Sequence, residues 1–306
     1  MSGIFIILPH SGGAHLMLRR DYLNYALVVF GWSTSWLPLK WQVGIIAPEV
    51  SLVWRFAIAA LLCYLLVRLK GLPLRFPIRY HIRFFLMGIF IFSTNFMLYY
   101  YASVHLASGL LAVAFSAASM VNILMVSALT VRPPRLSQLV ASAIGLGGII
   151  LIFWPELDVS KKAWISLMLC TAGTICFCFG NQVSASTQKD DVPVLSANSW
   201  GMMYGCLFMA VIALVRGHEF TVVASWTYLG GLVWLSVFSS VIAFACYLSL
   251  VGSIGAGKAG YATVVFPVFA LMISTMVEGY VWTGVGIIGI ACVLAGNLIM
   301  TLTKAT

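Results

Sequence analysis

Residues 92–103 read FSTNFMLYYYAS, and residues 238–249 read FSSVIAFACYLS. The second stretch repeats the Phe-Ser pair and the Tyr-x-Ser ending of the first at an offset of 146 residues. Small matches flank the two stretches in the same order, with Pro48 and Ser51 matching Pro193 and Ser196, and Gly109, Ala114 and Gly148 matching Gly257, Ala262 and Gly296. Because the order is kept and the offset drifts by only a few residues, the pattern predicts a duplicated chain.

The composition places this duplicated chain in a membrane. Of the 306 residues, 62% are apolar and 8% are charged, which excludes a soluble protein. A helix needs about 20 apolar residues to cross the hydrocarbon core of a bilayer. Ten stretches meet this requirement: 22–39, 48–67, 83–101, 108–129, 138–154, 163–183, 194–215, 226–251, 258–277 and 282–302. The sequence therefore predicts an all-α integral membrane protein with ten transmembrane helices.

The number of helices in each half determines how the halves are related. Five spans per half is an odd number, so the second copy enters the membrane from the opposite side and the fold is two inverted five-helix repeats. We expect an N-terminal extension at 1–21, the first repeat at 22–155 and the second at 156–306. Inverted repeats of this kind surround a site near the bilayer midplane and alternate its access, which indicates a transporter.

The basic residues predict the orientation. With a cytoplasmic N-terminus, twelve Lys and Arg residues flank the spans on the inside and four on the outside. This asymmetry predicts that both termini are cytoplasmic. It also accounts for the net charge of +9 without a nucleic-acid partner. Residues 1–16 lack the charged start of a signal peptide, and we expect an extension there.

Arg55 is the charge that lies well inside a predicted span. Translocon scales put the cost of such a charge at about 2.5 to 3.5 kcal/mol, so the side chain needs a partner. One interpretation is an anchor for a carboxylate of the transported solute. The other is a structural Arg that donates hydrogen bonds to carbonyls or hydroxyls of neighbouring helices, or whose side chain extends to the membrane–water interface.

Aromatic and polar side chains inside the spans are candidates for the wall of a solute path. Trp32, Ser35, Trp36 and Lys40 have the spacing of one helix face. Asn95 needs a hydrogen-bond partner in hydrocarbon. The remaining candidates are Tyr99, Ser119, Trp164, Asn181, Tyr247 and Tyr261, with Pro267 as a gating hinge. Helix packing and anchoring at the membrane interface are the competing interpretations of the serines and aromatics.

The Gly-rich run Gly284, Gly286 and Gly289 matches a dinucleotide-binding string, but no soluble βαβ unit surrounds it. We interpret it as a packing face of a membrane helix, like Gly145, Gly147 and Gly148 in the fifth span. The cysteines show no metal-ligand spacing, and no acid pair or Ser-His pair falls inside the spans. We therefore expect no cofactor, no metal and no enzymatic activity, and a monomer that has the lipid bilayer and a small solute as partners.

No Asp or Glu lies in the middle of a span. Exporters that exchange a cationic drug for a proton need a membrane carboxylate. We therefore expect a cargo that is neutral overall, such as a zwitterionic amino acid, and transport down a gradient without proton coupling. A drug or sugar-nucleotide carrier is the alternative.

Short motifs carry a resemblance to a known family. They are Trp32, the run Ala47-Pro48-Glu49 to Trp54-Arg55-Phe56, the Gly109 stretch, and Phe266-Pro267 to Glu278-Gly279. The chain resembles bacterial ten-helix members of the drug/metabolite transporter superfamily, whose two halves are EamA-type domains. Within that group it is most similar to amino-acid exporters. The resemblance implies outward transport and a place in the inner membrane of a bacterial cell. Ser119 and Thr130 stand in the first half where Pro267 and Glu278 stand in the second, so we expect an asymmetric site. Glu278 ends a span, which favours a capping or turn role over proton carriage.

Overall fold

The computed structural model describes residues 19–130, 133–159, 161–247, 249–250 and 261–302. The predicted extension up to residue 18, and the glycine match at residue 257, lie outside this part of the chain. Within it, helices follow one another through short turns. They are α1 Arg19–Ser33, α2 Trp36–Trp41, α3 Pro48–Leu69, α4 Ile78–Ile89, α5 Asn95–Ala102, α6 Ser108–Ser116, α7 Ala118–Thr130, α8 Leu136–Val159, α9 Lys161–Gln188, α10 Val194–Val215, α11 Trp226–Val233, α12 Tyr261–Glu278 and α13 Gly284–Leu302.

Six helices in the described residues are long and apolar enough to cross a bilayer: Pro48–Leu69, Ile78–Ala102, Leu136–Pro155, Lys161–Gln188, Val194–Val215 and Trp226–Tyr247. Three shorter apolar helices accompany them, at Ser108–Asn122, Val265–Glu278 and Gly284–Ile299. The prediction of an all-helical membrane protein is confirmed. The count of ten spans and their inverted arrangement stay predictions.

Two segments within the long helices have π-helical backbone. The first is Phe90–Thr94, between α4 and α5, and the second is Trp234–Ile242, directly after α11. At the offset of 146, the first segment corresponds to residues 236–240, inside the second. Each segment contains the Phe-Ser pair of the sequence repeat. A π-helical turn is rare and is frequent at functional sites, so its presence at matching positions supports duplication at the level of backbone structure.

The first predicted span is not one continuous helix. Turn residues Thr34 and Ser35 separate α1 from α2, so Trp32 lies on one helix and Trp36 and Lys40 lie on the next, rather than all on one continuous helix. Pro38 explains the break, because its ring clashes with the carbonyl of the residue four positions earlier, which is Thr34. The two hydroxyls also bond back to the preceding turn, from Thr34 to Phe30 O at 2.7 Å and from Ser35 to Gly31 O.

Glycines let two pairs of helices approach closely. A Cβ added to Gly88 of α4 would lie 2.8 Å from the carbonyl oxygen of Gly201 in α10, and one added to Gly148 of α8 would lie 2.5 Å from the carbonyl oxygen of Gly289 in α13. The packing interpretation therefore holds for Gly148 and Gly289. It fails for Gly147 and Gly284, where an added Cβ has no neighbour within 4 Å, because both face away from the adjacent helix.

Candidate functional site

The helices enclose a cavity of about 50 Å³. A buried water needs roughly 10 to 15 Å³ on the same kind of scale, so the space holds several waters or a small solute. Its walls come from both halves of the chain: Trp32, Ser35, Trp36, Leu39, Arg55, Asn95, Phe96, Tyr99, Phe115, Phe177, Leu235, Ser239, Phe244 and Phe266. Six of the predicted residues therefore lie together, namely Trp32, Ser35, Trp36, Arg55, Asn95 and Tyr99.

Arg55 is the charged residue among the cavity-lining side chains, and it is 1% exposed. Its Nε donates to the Ser240 hydroxyl at 3.2 Å and its Nη2 to the Ser239 hydroxyl at 3.4 Å. The guanidinium carbon lies 4.3 Å from the centre of the Phe96 ring. Hydroxyls and ring faces stabilise the cation, but no carboxylate lies among these lining residues to neutralise it. The positive charge of the cavity is therefore uncompensated.

Three buried polar atoms of the lining have no hydrogen-bond partner: Nη1 of Arg55, Nε1 of Trp36 and Oδ1 of Asn95. The Asn95 amide has a defined orientation because its Nδ2 donates to Ile91 O at 3.3 Å, a carbonyl that the amide oxygen could not approach. Asn95 therefore has an unpaired acceptor, whereas Arg55 and Trp36 have unpaired donors. An unpaired buried polar group costs about 1 to 3 kcal/mol, which a bound solute would recover.

Aromatic rings form most of the remaining wall. The Trp36 ring centre lies 5.3 Å from that of Tyr99 and 5.7 Å from that of Phe115, and Trp36 stacks on Phe266 at 6.4 Å. The Tyr99 hydroxyl is 2.7 Å from that of Thr174, so this phenol is paired outside the cavity. The wall is mostly apolar, and its polar atoms are confined to a few positions.

The structure places several predicted residues elsewhere. Ser119 donates to Oδ1 of Asn297 on α13, which fits a packing role, and Trp164 is 51% exposed on α9. Asn181 is half-buried outside the lining, and the side chain of Tyr261 lies outside the described residues. Ser119, Trp164 and Asn181 therefore do not line this cavity with Arg55, and their role in a solute path stays a prediction.

Tyr247 and Pro267 do not line the cavity but lie next to residues that do. The Tyr247 ring centre is 5.1 Å from that of Trp32, so the phenol supports a lining residue. Pro267 lies within α12 beside a void of about 10 Å³ between Val113 and Ile290. The residue before it, Phe266, lines the main cavity and accepts a hydrogen bond from Ser33 on its carbonyl at 3.1 Å. The hinge role of Pro267 stays a prediction.

Sequence reasoning missed most of the apolar wall. Leu39, Phe177, Leu235, Phe244 and Phe266 carry no polar signal that separates them from other core residues. A signal existed for Ser239, because it belongs to the repeated Phe-Ser pair, and for Phe96 and Phe115, which lie at helical spacing from other lining residues.

Glu278 connects the two halves on the side predicted to be extracellular. Its carboxylate lies 2.9 Å from Lys40 Nζ and accepts hydrogen bonds from the backbone N–H of Ser108, also at 2.9 Å, and from the hydroxyls of Ser108 and Ser274. Ser108 begins α6, so the acid satisfies a free N–H at a helix N-terminus. Glu278 therefore caps the N-terminus of α6 in the predicted first repeat, whereas the prediction placed a capping or turn role at the end of its own span.

Glu49 makes a second connection of this kind. It is fully buried, pairs with the Arg216 guanidinium and accepts a hydrogen bond from the Tyr101 hydroxyl at 2.7 Å. The hydrogen bond to Glu49 raises the pKa of Arg216, which lies just beyond the end of α10. His218 Nε2 is 3.9 Å from Glu49 Oε2. No pattern in the sequence indicated this pairing, since Glu49 and Arg216 are 167 residues apart.

Comparison with known proteins assigns the class. The EamA-like transporter family matches residues 21–154 and again residues 163–302, so the chain belongs to this family and is a membrane transporter. Protein PagO of Salmonella typhimurium is 24% identical over 262 residues, which is 84% of each chain. The uncharacterized inner membrane transporter YedA of Escherichia coli is 24% identical over 279 residues, 88% of each chain. One crystal structure shares the fold with a TM-score of 0.68 at 15% identity, covering 92% of this chain and 96% of the other.

Proposed function

We propose that the protein moves small amino acids outward across the inner membrane by alternating access, with Arg55 binding the carboxylate. The uncompensated guanidinium in the cavity carries this proposal. A carboxylate would neutralise the buried charge and accept from the free Nη1, and hydrogen bonds to charged groups contribute about 1.5 to 3 kcal/mol each. The cavity volume of about 50 Å³ supports a small solute over a sugar nucleotide or a large drug.

The two acid clusters support alternating access. Glu278 joins α12 to α2 and α6, and Glu49 joins α3 to Arg216 beyond α10. Each cluster links the predicted first repeat to the second, on the side that we propose to be extracellular. Opening this side requires both ion pairs to separate. The ion pairs therefore hold the site closed to the extracellular side until one half of the protein rotates against the other. Both termini are then cytoplasmic, and one inverted pair of repeats suffices as a monomer.

The proposal is tested with purified protein in proteoliposomes. Counterflow is measured over a panel of amino acids, without and with an imposed proton gradient. We expect exchange of at least one small amino acid without the gradient. Arg55→Ala should weaken its apparent affinity by about 10-fold or more, while Arg55→Lys, which keeps the charge, should lose less.

Arg83→Ala is the matched control, because it removes a guanidinium that pairs with Asp190 at the surface, 2.7 Å away. Unchanged affinity in Arg55→Ala contradicts the anchor role. Flux that requires the proton gradient contradicts uncoupled transport, and the absence of exchange for every amino acid contradicts the substrate class.

A further inference from the structure

The cavity has a second polar position that the carboxylate anchor does not use. Asn95 is 1% exposed, lines the cavity and leaves Oδ1 without a partner. Its Nδ2 is held by the Ile91 carbonyl within the same helical stretch. The amide cannot exchange the positions of its nitrogen and oxygen without losing this bond and setting two oxygens against each other. Asn95 therefore supplies a buried, unpaired hydrogen-bond acceptor on a residue of a mostly apolar cavity wall.

We propose that Asn95 is the amino-group subsite, so that the cavity selects carboxylates with a protonated amine over carboxylates that lack one. This inference rests on the proposed function and deepens it. Nη1 of Arg55 and Nε1 of Trp36 are free donors and match the two oxygens of a carboxylate, whereas Oδ1 of Asn95 matches an N–H. A solute with both groups satisfies all three buried atoms, and a plain monocarboxylate leaves the amide oxygen unpaired.

The surrounding rings favour a cation at the Asn95 end. Asn95 and Tyr99 are four residues apart on α5, and both line the cavity with Trp36 and Phe115. The faces of such rings carry negative partial charge and attract ammonium groups. No carboxylate stands among the lining residues to trap the ammonium, so the amine is held by one amide oxygen and ring faces, which allows release during transport.

Discrimination at this subsite follows from the cost of an unpaired group. A site that is built to bond an N–H penalises an analogue that lacks it, because the buried acceptor then has no partner. The position is also specific to one half, since the residue at the offset of 146 from Asn95 is Val241. The second half therefore has no amide that duplicates this acceptor at the matching position.

The test compares each transported amino acid with its deaminated analogue, the carboxylate with the same carbon skeleton, as competitors of counterflow. In the wild type we expect the analogue to compete about 10-fold or more weakly. In Asn95→Leu, which keeps the size and removes the acceptor, the ratio should fall to near one through weaker binding of the amino acid. Asn198→Leu is the matched control, because Asn198 is a buried amide on α10 outside the cavity lining.

The outcomes separate this inference from the proposed function. Equal competition by both compounds in the wild type overturns the subsite while amino-acid transport stands. An unchanged ratio in Asn95→Leu also overturns it. Asn95→Gln keeps the acceptor on a longer arm and should restore part of the discrimination, which a merely structural role would not produce. If Asn95→Leu does not yield folded protein, the wild-type and Asn95→Gln ratios decide the question.

Discussion

The two π-helical segments share a sequence pattern and a backbone conformation but use their serines differently. In Phe90–Thr94, the Ser93 hydroxyl bonds within its own helix, to Gly88 O and Ile89 O at 2.7 Å each. In Trp234–Ile242, Ser239 and Ser240 accept hydrogen bonds from Arg55 of the other half. The two copies therefore share one backbone conformation, but only the serines of the second segment contact the charge of Arg55 on α3.

A second pair of matching positions, Gly88 and Trp234, differs in the same way. Gly88 precedes the first segment and, at the offset of 146, corresponds to Trp234 of the second. Gly88 allows close contact with α10, whereas Trp234 stacks on Phe238 at 4.3 Å and donates to the Thr34 hydroxyl at 3.1 Å. The first segment is therefore built for helix packing, and the second for contact with the broken first span.

The largest effect should come from Gly88→Leu. The added side chain would overlap the backbone of Gly201 and Gly205, and overpacking of this kind costs about 1 to 3 kcal/mol or more. We expect a large loss of thermal stability, measured by fluorescence-detected size-exclusion chromatography after heating. Gly147→Leu is the control, because an added Cβ there has no neighbour within 4 Å. Equal stability of the two variants would contradict the packing role.

Ser239→Ala with Ser240→Ala should weaken amino-acid binding by about 10-fold, because Arg55 loses two hydrogen-bond partners that orient it. The loss should vanish in an Arg55→Met background, which is a double-mutant cycle between the two halves. Apparent affinity is measured by counterflow. A loss of the same size in both backgrounds would show that the serines act independently of the charge.

Trp234→Phe removes one hydrogen bond to Thr34 and keeps the stacking on Phe238. We expect a stability loss of about 1 kcal/mol, with the apparent affinity unchanged, since neither residue lines the cavity. Thermal melting and counterflow are measured on the same preparation. A change in affinity without a change in stability would assign the tryptophan to the site instead.

Ser93→Ala should have the smallest effect, about 0.5 to 1 kcal/mol of stability, because the serine bonds only to carbonyls of its own helix in the described contacts. Amino-acid affinity should stay at the wild-type value. If Ser93→Ala weakens binding as much as the Ser239 and Ser240 substitutions do, the two segments share one function and the asymmetry fails.

The sequence by itself determined the class of protein and the approximate positions of its long apolar helices, and it identified Arg55 as a charge inside a span. The apolar composition and the length of a span are properties of one continuous stretch of sequence, so they are evident without a three-dimensional structure. The repeated Phe-Ser pair indicated duplication because it, too, is visible in the sequence alone. Trp32, Trp36, Asn95 and Tyr99 also carried enough signal to be placed in one cavity.

Only the tertiary structure decided which side chains from distant helices contact one another. Arg55 meets Ser239 across 184 residues, and Glu49 meets Arg216 across 167. Such pairings depend on the rotation and packing of helices that are distant in sequence, which periodicity does not encode. The orientation of the Asn95 amide depends on a single carbonyl in the preceding turn. The sequence thus predicted a buried charge in a duplicated membrane scaffold, and packing decided which groups a solute would meet there.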